Sequence, residues 1–111
     1  MNVEELARGL SMEIVAGERG KEKEICGVYV CDLLSRVIAK AEIGFVWVTV
    51  HTHLNIVAVA VLKELSCIII PENLKIDNTI LVKAEEEGVP ILLSSKTAFE
   101  ISYAIGKQEI M

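Results

Sequence analysis

Both histidines of the chain lie two residues apart in WVTVHTHLNIVAVAVLKEL, residues 47–65, and Thr49, Thr52 and Asn55 are the polar side chains around them. Spaced this way on an extended segment, His51 and His53 point to one face, which suits a two-histidine metal pair. No carboxylate close in the sequence supplies a third ligand, so neither a metal nor a cofactor is expected. A catalytic pair with His53 as base and Ser94 or Ser95 as nucleophile needs an orienting group and an oxyanion site, and the sequence displays neither. What Thr49, His51, Thr52, His53 and Asn55 do offer is a set of donors for a phosphate, carboxylate or nucleotide, provided that a strand hands over to a helix there. The same residue types cap helices and close local hydrogen bonds. Both readings stay open.

SSKT, residues 94–97, poses the same question, with Lys96 as the cation and Ser95 or Thr97 as the cap. In DLLS, Asp32 and Ser35 read as a helix cap or as interface or ligand contacts. Trp47, inside FVWVTV, reads as core, or as interface if its strand lies at a sheet edge. The odd set of Cys26, Cys31 and Cys67 has no paired spacing, which predicts buried thiols rather than a zinc or iron–sulfur site built from Cys26, Cys31 and a histidine. RGKEKE, residues 19–24, alternates in sign and reads as a solvated loop. Glu85, Glu86 and Glu87 read as a solvated helix end, slightly unfavourable to the helix dipole.

The elements that must position these residues alternate between helix-like and strand-like, the mark of an α/β fold. NVEELARGL opens on Asn2 with Glu5 at capping-box spacing. MEIVAG, ICGVYVCD, GFVWVTV, CIIIP and VPILLSS read as strands, and the unbroken apolar run of CIIIP suits a parallel strand covered on both faces. Asp32 is placed to cap LLSRVIAKA, whose Leu33, Leu34, Val37, Ile38 and Ala41 fall at helical spacing. Asp77 and Gly88 bound a helix over residues 76–88; Thr97, Glu100 and Gly106 do so for the last one.

LNIVAVAVLKEL is β-branched enough to be a strand, yet its length and the strands flanking it predict a crossover helix. A helix this apolar needs cover on more than one side. In so small a domain, a second copy of the chain is the expected source of part of that cover.

At 111 residues the chain fits one domain able to bury its own core. Its 52% apolar content is high, but the longest apolar stretch, Leu54 to Leu65, is interrupted by Asn55, Lys63 and Glu64 and is too short to span a bilayer. The amino terminus lacks the basic and apolar regions of a signal peptide, which predicts a cytoplasmic protein. A net charge of −5 argues against nucleic acid as a partner.

GVYVCDLLSRVIAKA, then WVTVHTHLNIVAVAVLKEL, then IIIPENLKID and AEEEGVPILLSSKTAFEI resemble the DRTGG domain family, particularly its short stand-alone members. The likeness is strongest over residues 25–106, and its most specific parts are Asp32–Ser35 and the T-x-x-x-H-x-N-I-V-A-V-A stretch from Thr49 to Ala60. It implies a single α/β domain over residues 1–111, a mainly parallel sheet flanked by helices, similar to the amino-terminal domain of HPr kinase/phosphorylase. It further implies a regulatory or dimerising role with no catalysis of its own. Two departures stand out: the D-R-T-G-G run is absent, with His51–Asn55 and Pro71–Asn73 in the corresponding places, and there is no phosphate-binding P-loop.

The expectation is therefore a non-catalytic regulatory domain that forms a homodimer, acts on another protein and is modulated by a small anionic or nucleotide ligand. Thr49, His51, Thr52, His53, Asn55, Ser94, Ser95 and Lys96 would bind that ligand; Asp32, Ser35 and Trp47 would serve the interface. An adenine-nucleotide sensor is the alternative. A metal-dependent hydrolase built on His51 and His53 is the third reading.

Overall fold

The computed structural model describes residues 1–108. In chain order the elements are α1 (Val3–Gly9), β1 (Glu13–Ala16), β2 (Gly27–Val30), α2 (Leu34–Lys40), β3 (Phe45–Val48), α3 (Asn55–Lys63), β4 (Cys67–Ile70), α4 (Asn78–Glu87), β5 (Ile91–Leu93) and α5 (Ala98–Lys107), with a short 3-10 turn at Glu18–Gly20. The strands form one sheet in the order β1-β5-β4-β3-β2. β2 to β5 run parallel, and β1 pairs antiparallel with β5 at the far edge. This is the α/β architecture that the alternating pattern predicts.

Period-two alternation along the strands splits the core into two layers. Trp47, Ile68 and Ile70 pack with Val37, Ile56, Val57, Ala60, Ile80 and Ala84 of α2, α3 and α4. Val46, Val48, Cys67 and Ile69 face the other way, onto Val3 and Leu6 of α1 and Ile101 and Ile105 of α5. CIII is buried at all four positions because β4 lies mid-sheet with helices on both faces. LNIVAVAVLKEL is a helix: burial of Ile56, Val57, Val59 and Ala60 against the sheet outweighs the β-branched preference. Among the described residues no helix is long and apolar enough to cross a membrane.

Two helices start as their spacing predicts, with capping boxes at Asn2/Glu5 and Thr97/Glu100. Asp77 occupies the N-cap position of α4 without a side-chain bond, and Gly88 ends that helix at φ 68°. α5 runs through Gly106 to Lys107 rather than stopping at the glycine. Leu33 and Ile38 are exposed, so α2 buries a narrower stripe than its spacing suggests.

Trp47 is not an interface residue: β3 lies inside the sheet, and the side chain is fully buried. The cysteines are not uniformly buried either. Cys26 is exposed and Cys31 half-buried, since both flank the edge strand β2; only Cys67, in mid-sheet β4, is enclosed, and burial pushes its thiol up to about 12.

The basic run at residues 19–24 is more than a solvated loop. The Arg19 guanidinium donates to the Glu86 carbonyl, and Lys23 Nζ donates to the Gly88 carbonyl at 3.0 Å. These cations satisfy carbonyls at the carboxyl end of α4 and offset the acidic residues there. Burial of the Lys23 ammonium lowers its pKa, and Arg19 lowers it further. Glu85 is also employed, accepting from the Gly17 N–H at 2.8 Å. Gly17 has φ 71° and sits so close to Val89 that a Cβ would lie 2.0 Å from its carbonyl oxygen.

Candidate functional site

The four parallel strands place their carboxyl ends along one rim, where an open α/β sheet presents its binding crevice. Residues 49–54 leave β3 there and lead into α3. The Thr49 N–H donates to the Ile69 carbonyl at 3.1 Å and prolongs the sheet by one rung. Its buried hydroxyl donates to Asp32 Oδ1 at 2.8 Å and accepts from the His51 N–H at 3.0 Å. The Val50 N–H reaches the same carboxylate oxygen at 2.9 Å.

Asp32 therefore does not cap α2, whose N-cap is Leu33 with no side-chain bond. It latches the segment after β2 to the segment after β3. Trp47 Nε1 reinforces this latch from inside the core, donating to the Cys31 carbonyl at 2.8 Å. Ser35 is exposed in the first turn of α2.

Beyond the latch the chain turns outward. His51 is half-buried; Thr52, His53, Leu54 and Asn55 are exposed. His53 Nδ1 accepts the Asn55 N–H at 3.2 Å, and the His53 carbonyl accepts the Ile56 N–H at 3.1 Å, so this histidine starts α3. The bond requires an unprotonated Nδ1, which places the ring proton on Nε2. The side chains of Thr52 and Asn55 make no hydrogen bond among the described residues and face the rim's solvent. The His51 and His53 rings meet edge-on with centroids 6.1 Å apart. Among the described residues no group of three or more His, Cys, Asp or Glu could hold a metal ion.

The second predicted cluster lies on the same rim, two strands away. Ser94 is buried; its N–H donates to the Ile70 carbonyl at 3.1 Å and its hydroxyl accepts the Lys96 N–H at 3.1 Å. Across from it, Glu72 and Asn73 take left-handed φ values of 62° and 52°. Their N–H groups donate to the Lys96 and Ser94 carbonyls, each at 2.9 Å. Thr97, not Ser95, caps α5, and its N–H and hydroxyl hold the Glu100 carboxyl below the usual carboxylate range, with help from Lys96. Ser95 and Lys96 stay exposed.

Ser94, Ser95 and Lys96 also line a cleft of about 400 Å³ with Leu10, Ser11 and Met12 of the α1–β1 connection. Residues 49–55 do not line it. The predicted ligand set is thus one rim holding two clusters, with β4 and the Pro71–Asn73 turn between them. Sequence reasoning missed Asp32 as the brace of the first cluster and the Glu72–Asn73 turn as the brace of the second.

Comparison with known proteins bears on the family and the fold. The family model of the DRTGG domain matches residues 5–107, which brings α1 and β1 into a likeness that the sequence carried mainly from residue 25 onward. The fold is similar to a crystal structure of the CBS and DRTGG domains of the regulatory region of Clostridium perfringens pyrophosphatase, complexed with its activator diadenosine tetraphosphate. The TM-score is 0.69 at 15% identity, and the match covers 92% of this chain and 44% of that one. No curated protein matches the sequence.

Proposed function

Because the chain belongs to the DRTGG domain family, we propose that it is a non-catalytic, self-associating regulatory domain, modulated by a small anionic or nucleotide ligand at the rim between Thr49 and Asn55. The observation that carries this reading is the set of uncommitted donors, Thr52, Asn55 and the His53 Nε2–H, at the start of α3, held in place by Asp32. A helix start with its partial positive charge and exposed polar donors fits a phosphate or carboxylate. Lys96 on the neighbouring cluster adds a cation to the same edge.

The nucleotide activator of the similar clostridial regulatory region supports adenine nucleotides as the first ligand class to test. A pure adenine-nucleotide sensor is the second reading, favoured by the same donors. The cytoplasmic location predicted from the amino terminus belongs to the proposal, as does an enzyme partner supplied by another chain.

Thermal unfolding in the presence of AMP, ADP, ATP, diadenosine tetraphosphate and phosphate tests it. A ligand at about 100 times its dissociation constant adds roughly 2.7 kcal/mol. For a chain of this length that corresponds to a rise in Tm of about 10 °C, at roughly 4 °C per kcal/mol. Asn55→Ala is expected to abolish the rise while the variant keeps its fold. A rise left intact by both Asn55→Ala and Lys96→Ala would move the site away from the rim. No rise with any compound would remove ligand modulation from the account.

A further inference from the structure

We propose that the cleft between the α1–β1 connection and α5 seats the base of a nucleotide, whose phosphates leave it past Lys96 along the rim. The inference rests on the nucleotide reading above and adds Leu10, Met12, Ile101 and Ala104 to the site.

The cleft opens where the layer formed by α1 and α5 meets the carboxyl end of β5. α1 ends at Gly9, and the chain turns through Ser11, at a left-handed φ of 54°, into β1. α5 starts from Thr97 on the other side. The hollow between them measures about 400 Å³, within the range of roughly 300–1,000 Å³ usual for small-molecule sites. Its inner wall is apolar. Met12 and Ile101 are buried there, and Leu10 and Ala104 are half-buried. Gly9 and Ala104 keep the hollow open, and a Cβ at Gly9 would meet nothing within 4 Å.

The mouth at the rim is polar. Ser94 is only 7% exposed, and its hydroxyl oxygen accepts the Lys96 N–H. Among the described residues no acceptor takes the hydroxyl's own proton, so a buried donor at the wall of the cleft is left for a ligand. Lys96 is the charged residue of the lining. Glu100 lies near it, but that carboxylate accepts from the Thr97 N–H and hydroxyl at 2.9 and 3.1 Å. Glu13 follows Met12 along β1 and falls on the opposite face of the sheet, with Val15. At the other end of the cleft, the Gly9 and Leu10 carbonyls accept no hydrogen bond among the described residues.

A cation and a hydroxyl donor at the mouth, an aliphatic wall behind them and free carbonyls beyond match the order of phosphate, ring and exocyclic amino group in an adenine nucleotide. A bare anion would use the mouth alone and leave the apolar wall wet.

Isothermal titration of the whole chain with ATP and, separately, with inorganic tripolyphosphate tests the proposal. ATP is expected to bind about tenfold or more tighter, because it alone fills the hollow. Gly9→Leu and Ala104→Leu narrow the cleft from α1 and from α5, so the test survives if one of them fails to fold. Each should bring ATP down to the affinity of tripolyphosphate, with tripolyphosphate binding and the circular dichroism spectrum unchanged. Tripolyphosphate binding as tightly as ATP to the unmodified chain would overturn the base seat and leave an anion site alone. An ATP affinity unmoved by either folded variant would overturn the cleft. If neither compound binds the unmodified chain, the nucleotide reading itself fails.

Discussion

Trp47→Ala is expected to destabilise the protein by about 3–5 kcal/mol, the usual cost of emptying a buried tryptophan site. For a chain of this length that is a fall in Tm of roughly 12–20 °C, measured by circular dichroism or calorimetry. Among the described residues the indole is the largest fully buried side chain, lying between β3 and the α2–α3–α4 layer. It also carries the hydrogen bond to the Cys31 carbonyl, so its removal unpairs an acceptor beside the rim. Trp47→Phe separates the two losses. It keeps much of the packing while removing the donor, so a clearly smaller drop is expected. A Trp47→Ala variant within a few degrees of the unmodified chain would mean that this part of the core is looser than the structure indicates.

Asp32→Ala is expected to cost about 1–3 kcal/mol, or roughly 4–12 °C in Tm, although the residue itself is exposed. The cost arises at its partners. The Thr49 hydroxyl is buried and would lose its acceptor, and the Val50 N–H would lose the same oxygen. An unsatisfied buried donor, not the loss of a surface charge, sets the magnitude. Asp32→Asn retains an oxygen at that point and should recover most of the loss. Both predictions follow from the bracing of β2 against β3, and Asp32→Ala should in addition weaken any ligand response by releasing residues 49–54 from their place.

How much of this was legible in the sequence depended on distance along the chain. The capping boxes at Asn2 and Thr97 close within three residues, so spacing alone revealed them. CIIIP showed its mid-sheet position through composition, since only a strand covered on both faces tolerates that run. α3 was legible because the strands around it demanded a crossover, despite its β-branched content. The antiparallel pairing of β1 with β5 was not, because a strand carries no mark of a neighbour some eighty residues away.

The site divided along the same line. That residues 49–55 and 94–96 border a strand-to-helix rim could be read from the pattern of elements. The role of Asp32 could not: an aspartate just before a helix has the signature of a cap, and its actual partners lie 17 and 18 residues on. Likewise Pro71 and Asn73 mark a turn, but Glu72 adopts left-handed backbone without a glycine, and the partners of that turn, Ser94 and Lys96, lie more than twenty residues on. Of the two readings of Trp47 only the core one holds, and Cys26 was misplaced, for a related reason. Whether a strand is central or at an edge decides its exposure, and strand order is a property of the whole sheet.

The most direct test of the central claim, that the rim is where a small anionic ligand is sensed, is an amide NMR titration of the isotope-labelled chain with ATP. The account predicts that shifts concentrate at Asp32, at residues 49–56 and along 94–97, saturating together, and vanish in Asn55→Ala. Shifts confined to β1 and α4, or a spectrum unmoved at millimolar nucleotide, would contradict it.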